Sequence, residues 1–317
     1  MQAGGWAVIV AAVSILTTVT TSSGVQEKPR LRAPDITVHS DLVVLHAVVS
    51  DRRSRFVRGL TRDQFAVYED DVRQTIEFFA AEDQPATVGL VIDNSGSMHP
   101  KRGDVIAAGH AFVRASHPGN ELFLLHFNER VWSGLPEAVP FTANPGLLFE
   151  TLSRTGARGQ TALYDAMSQA LDHVARGTNH HRVLVVISDG RDNASTTQLA
   201  PLLGRARQSD AVVYTIGLFD RDSRDRNPKV LREIAATTGG MAYFPKNSAN
   251  AVSTLEQIAR DIRSTYTIGF APTNATRDGQ HRSIRVTARG PGGTELTVRT
   301  RAGYLAPLDP PAEARSQ

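Results

Sequence analysis

The chain has 317 residues, 35 Lys plus Arg against 32 Asp plus Glu, and no cysteine. The length allows two domains that each bury a core, and a formal charge of +3 over the whole chain is too slight to argue for a nucleic-acid partner. Without cysteine there is no disulfide framework, no thiolate metal site and no lipid-modified cysteine.

Trp6 to Leu16 is an apolar run interrupted only by a serine, followed by a Thr/Ser stretch from Thr17 to Ser23. Residues 1–24 therefore read as a signal peptide or an uncleaved N-terminal anchor, which places the rest outside the cytoplasm: periplasmic, secreted or membrane-anchored. The run is shorter than the ~20 apolar residues that span a bilayer comfortably. Membrane contact is expected only through this segment.

After a polar linker, residues 35–84 carry strand patterns. Ile36–Ser50 is β-branched and apolar, and Phe65 and Val67 alternate with Gln64, Ala66 and Tyr68. Glu69-Asp70-Asp71 predicts a turn, and Thr75–Phe78 continues with period two. Residues 85–263 change grammar. Short apolar runs at Val88–Ile92, Leu122–Phe127, Val183–Ile187 and Val212–Leu218 alternate with helical spacing at Val105–Ala115, Ala162–Val174, Leu199–Ala206 and Val230–Ala236. A short strand at Met241–Phe244 and a helix over Ala251–Arg263 follow. The alternation predicts an α/β fold, a doubly wound, mainly parallel sheet with helices on both faces.

Strand patterns return over residues 264–306, at Tyr266–Phe270, Ser283–Ala288 and Glu295–Val298, with a turn at Gly290–Gly293. The two β-rich flanks are expected to pair into one small all-β sandwich, with the α/β domain inserted between them. Residues 307–317 are Pro-rich and polar and read as a disordered tail.

The chemistry-bearing residues gather at strand ends. Asp93 ends an apolar strand and is followed by Ser95 and Ser97; a second strand ends in Ser188-Asp189-Gly190. Thr161 sits where a glycine-containing loop enters a helix. Ligands in open α/β sheets bind at this carboxyl edge. Two carboxylates and three hydroxyls form an all-oxygen set of the kind that hard cations take, Mg2+ above all, with Mn2+ and Ca2+ as alternatives. Two carboxylates only just balance a divalent ion, which leaves it able to accept a carboxylate from another molecule. Any one of these residues alone could be a helix cap or turn residue.

Asp93-x-Ser95-x-Ser97, Thr161 and Asp189 resemble, position for position, the metal-ion-dependent adhesion site of von Willebrand factor type A domains. The resemblance covers about Pro85 to Arg263. The flanks, Phe56 to Phe65 before it and Tyr266 to Phe270 with Arg301 to Tyr304 after it, are similar to those of bacterial exported proteins related to that family. It implies that the five residues hold one divalent cation, directly or through water, and that the cation binds an acidic residue of a protein partner.

Loops around such a site set partner choice, so Arg154, Arg158, Asp220 and Asp222 are candidate rim residues. His180-His181 reads as a solvated loop, His99 as exposed, and Arg282, Arg285, Arg289, Arg299 and Arg301 as a solvated face. No catalytic residue is identified. A phosphoaspartate mechanism needs a carboxylate where Ser95 stands. Neither Ser95 nor Ser97 lies in Gly-x-Ser-x-Gly, and there is no Gly-Lys-Ser/Thr loop. A binding and adhesion module is the leading reading, with a phosphatase-like hydrolase or an envelope scaffold acting through its β segments as the alternatives.

Overall fold

The computed structural model describes residues 42–308 apart from 54, 82, 155 and 220–225, all within one compact unit, Ser40–Gln317. It opens with strands β1 (Val43–Ser50), β2 (Phe65–Glu69), β3 (Val72–Gln74) and β4 (Phe78–Ala80). The turn between β2 and β3 holds Asp70 and Asp71 at positive φ, a conformation that aspartate tolerates better than most residues. The period-two reading of Thr75–Phe78 needs correction: pairing stops at Gln74 and resumes at Phe78. Glu77 bonds the Gly269 carbonyl as the chain changes neighbours, from β2 to the strand that contains Gly269.

The α/β part then runs β5 (Ala86–Asp93), α1 (Arg102–Ala115), β6 (Glu121–Phe127), β7 (Val131–Ser133), α2 (Pro145–Arg154), α3 (Leu163–Val174), β8 (His181–Ser188), α4 (Leu199–Gln208), β9 (Val212–Gly217), α5 (Pro228–Thr237), β10 (Ala242–Tyr243) and α6 (Ser248–Arg263). The chain closes with β11 (Tyr266–Phe270), β12 (His281–Arg289), β13 (Glu295–Arg299) and β14 (Gly303–Leu305). β7, α2 and β14 are not among the elements expected from the sequence: β7 and β14 are three residues each, too short for periodicity to mark, whereas α2 has ten, as many as α4 and α5.

Six strands form one sheet in the order β10-β9-β8-β5-β6-β7. All neighbours are parallel except the β6–β7 pair, so the sheet is mixed. Every residue of β5 is buried, as expected of a central strand covered by helices on both faces. The chain leaves β5 for β6 on one side and returns to β8 on the other. The carboxyl ends of β5 and β8 therefore flank the topological switch point.

The two flanks pair with each other. β1 takes β11 over Val43–Ala47 on one edge and β13 over Val48–Ser50 on the other, and β12 pairs β2. The expected two-layer sandwich is not what forms. The eight strands make one continuous antiparallel path, β3-β2-β12-β13-β1-β11-β4 with β14 on β12. Because the pairing on β1 is staggered, the sheet coils around its own core of Leu45, Val67, Tyr266, Ile268 and Phe270 instead of separating into layers. The Tyr266 hydroxyl ties in the preceding loop, donating to the Val57 carbonyl at 3.0 Å and accepting from the Leu60 N–H at 3.1 Å.

Three of the arginines assigned to a solvated face are not solvated: Arg282 is buried, and Arg299 and Arg301 are half-buried. Arg282 is buried on the inward face of β12 and pairs with Asp278 at 3.1 Å. Arg299 faces the buried Asp261 of α6 at 3.8 Å, and Arg301 donates to the Val44 carbonyl at 2.9 Å. Only Arg285 and Arg289 are exposed as expected. His181, read as a solvated loop residue, is the buried first residue of β8 and stacks on His46 of β1 at 4.4 Å. Of the predicted tail, Leu308 bridges Asp278; residues 309–317, like residues 1–24, lie outside the described residues. Among the described residues no helix is long and apolar enough to cross a membrane.

Candidate metal centre

Parallel pairing of β5 with β8, in register from Ala86↔His181 to Ile92↔Ile187, brings Asp93 beside Ser188 and delivers Asp189 one residue further on. The Ser188 hydroxyl donates to Asp93 Oδ2 at 2.6 Å, and the Ser95 N–H donates to Asp93 Oδ1 at 2.8 Å. The second bond is an Asx turn that folds the chain back at the strand end. It brings the Ser95 and Ser97 hydroxyls within 3.1 Å of each other.

Thr161 comes from the loop before α3. Its N–H donates to Asn193 Oδ1 at 2.8 Å, and its carbonyl accepts from the N–H groups of Asn193 and Ala194. The loop after β5 is joined to the same region by Gly96 N–H to the Gly159 carbonyl (3.0 Å) and Arg158 N–H to the Asn94 carbonyl (2.7 Å). Ala162 N–H bonds the Asn128 carbonyl at 2.7 Å. Four separate loops, after β5, between β6 and β7, before α3 and after β8, are thus held to one another by backbone bonds. Asn94, Asn128 and Asn193 carry much of that framework, and nothing in their sequence spacing pointed to it.

Asp93, Ser95, Thr161 and Asp189 are all buried, and Ser97 is half-buried. Burial pushes the Asp93 carboxyl up to about 6, and the neighbouring Asp189 carboxylate adds to the rise. Hydrogen bonds from Ser188 and Ser95 oppose it by favouring the charged form. Among the described residues neither carboxylate is ion-paired with a lysine or arginine. Two adjacent buried carboxylates without a counter-charge are costly, and a cation between them would remove that cost. The donor set fits a hard divalent ion, since all five side chains offer oxygen. No group of three or more His, Cys, Asp or Glu among the described residues is placed to hold a metal, so a soft or thiolate site is not in view.

Of the rim candidates, Arg158 lies on the loop joined to Asn94. Arg154 ends α2 and pairs with Glu150 one turn back on the same helix. Asp220 and Asp222 lie outside the described residues. His99 is exposed, as read from the sequence. His126 is buried beneath this edge, held to Asn94 by a 2.8 Å contact between its Nδ1 and Nδ2 of the asparagine. Burial and Arg102 lower its pKa to about 4, so it packs as a neutral ring.

Residues 88–191 match the family model of the von Willebrand factor type A domain. Among solved structures, the chain is similar to a von Willebrand factor type A protein from Catenulispora acidiphila, with a TM-score of 0.52 and 15% identity over 86% of this chain and 75% of that one. It also overlaps the conserved hypothetical protein BatB from Bacteroides thetaiotaomicron (TM-score 0.46, 16% identity, 56% of this chain and 97% of that one). A third is the vWF domain of the type V pili tip protein Mfa5 from Porphyromonas gingivalis (TM-score 0.46, 13% identity, 58% of this chain and 96% of that one). No curated protein sequence matches. The switch-point edge that gathers Asp93, Ser95, Ser97, Thr161 and Asp189 falls within the matched residues, and the chain resembles the von Willebrand factor type A domain proteins.

Proposed function

We propose that this chain is a non-enzymatic, metal-dependent binding module whose partner is a protein presenting an acidic residue. Asp93 and Asp189 would supply the charge, and Ser95, Ser97 and Thr161 the neutral oxygens, for one divalent cation, Mg2+ or a similar hard ion. The observation that supports this reading is the pair of buried carboxylates that have no cationic partner among the described residues, set among three hydroxyls at the switch point. When bound, the ion supplies an electrophilic position for a carboxylate from outside. The residues place the site at a sheet edge, with Ser97 the most exposed of the five, and the loops around it select the partner.

A hydrolytic role has less support. Among the described residues the Ser95 and Ser97 hydroxyls bond each other and not a histidine, and the buried His126 bonds Asn94. We place the protein outside the cytoplasm on the strength of the apolar leader alone.

Titration calorimetry with Mg2+, on wild type and Asp189→Ala side by side, tests the reading. One saturable site in the wild type, lost in the variant with an unchanged circular dichroism spectrum, is the expected result. A folded wild type that takes up neither Mg2+, Mn2+ nor Ca2+ would sink it.

A further inference from the structure

Beside the five-residue set, the β6–β7 turn and the loop before Thr161 enclose a cleft of about 520 Å³, lined by residues that include Arg130, Arg158, Trp132 and Glu129. We propose that this cleft binds a second carboxylate of the partner, so that the ligand is an extended acidic segment of the form Glu-x-Glu or Asp-x-Asp. The inference rests on the metal-dependent reading above and names the partner more narrowly.

The charge in the cleft is not balanced by its own acid. The Glu129 carboxylate is turned toward the loop, accepting from the Gln160 N–H at 3.1 Å. Gly159, at φ +84°, permits this, because a Cβ there would collide with that carboxylate. Arg130 and Arg158 are exposed, and neither guanidinium is ion-paired among the described residues. A guanidinium is the side chain best suited to grip a carboxylate through two parallel hydrogen bonds.

The cleft is also built rather than incidental. Its Trp132 stacks at 5.7 Å on the buried His126, which is in turn held by Asn94. Asn128 Nδ2 donates to the Arg158 carbonyl at 3.2 Å, so the two walls are bonded to each other.

Spacing decides the form of the ligand. Arg158 is one backbone bond from Asn94, the neighbour of Ser95, and three residues before Thr161. Three residues span at most about 10 Å. Side chains at i and i+2 of an extended peptide emerge on the same side roughly 7 Å apart. One carboxylate at the metal and the next but one at the arginines is the arrangement that fits.

Trp132 makes the test direct, because the chain has two tryptophans and Trp6→Phe leaves Trp132 alone. Full-length Trp6→Phe protein in Mg2+ would be titrated with acetyl-Gly-Glu-Gly-Glu-Gly-amide and with acetyl-Gly-Glu-Gly-Gln-Gly-amide, following tryptophan fluorescence and, independently, heat. The Glu-x-Glu peptide should bind about tenfold tighter. Arg130→Gln with Arg158→Gln should bring it down to the affinity of the Glu-x-Gln peptide on the parent protein. Equal affinities on the parent, or an advantage that survives the double arginine change, overturns the cleft proposal and leaves the metal reading standing. An arginine-dependent advantage that persists unchanged in EDTA and in Asp189→Ala overturns the metal reading and keeps the cleft. No binding of either peptide to the folded, Mg2+-loaded protein overturns both.

Discussion

The Ser188 hydroxyl reaches across from β8 to donate to Asp93 Oδ2 at the end of β5, 2.6 Å away, and both groups are buried. The bond crosses between neighbouring strands at the switch point, so it positions a candidate metal ligand using a residue that is itself one position short of another, Asp189.

Ser188→Ala should therefore weaken Mg2+ binding by about tenfold to a hundredfold without abolishing it, since a hydrogen bond to a charged acceptor is worth about 1.5–3 kcal/mol. Calorimetry on the variant checks this. An unchanged affinity would mean that Asp93 is held without Ser188.

Gly159→Ala strains a left-handed backbone and drives a methyl group into the Glu129 carboxylate. A loss of about 1–3 kcal/mol in urea unfolding is expected. Glu129→Ala combined with Gly159→Ala should recover the part due to the collision. If the double variant is as unstable as the single, backbone strain alone is the cause.

His46 of β1 and His181 of β8 stack on each other, both buried. Burial lowers the pKa of His46 from 6.5 to about 4, with Arg301 and Arg182 adding to the effect, and lowers that of His181 well below 6.5. Between those values the unfolded chain binds protons that the folded one refuses, so stability falls as pH drops from about 6.5 toward 4, by up to about 3 kcal/mol for His46. The Asp93 and Asp261 carboxyls, raised to about 6, act with the opposite sign over much of that window. The difference between wild type and His181→Phe isolates the histidine effect. Urea midpoints at pH 7.5 and 5 should converge for the two proteins as pH falls, and parallel pH profiles would refute the assignment.

Asp261 of α6, almost wholly buried, accepts from Gln257 at 2.7 Å and faces Arg299 of β13 at 3.8 Å. Removing one partner leaves the other charge without compensation. Arg299→Ala should cost roughly 2 kcal/mol, less than a fully buried pair would, because Arg299 is partly exposed. Asp261→Asn added to it should restore most of the loss in a chemical denaturation series. Additive losses would show that packing, not charge, holds α6 to the β sheet.

The amino-acid sequence by itself determined the α/β order, because β5, β8 and β9 are apolar runs that read as buried strands in any context, with amphipathic helices between them. It also determined where chemistry could lie: Asp93-x-Ser95-x-Ser97, Thr161 and Asp189 each stand at the boundary of an apolar segment. Only the tertiary structure decided which of these boundaries meet. The meeting depends on β8 crossing to the far side of β5, and strand order is a long-range choice that no local pattern encodes. The same reason separates Arg285, which faces solvent, from Arg299 and Arg301, which turn inward to Asp261 and Val44. Their partial burial depends on Asp261 of α6 and Val44 of β1, groups that come from positions far away in the chain.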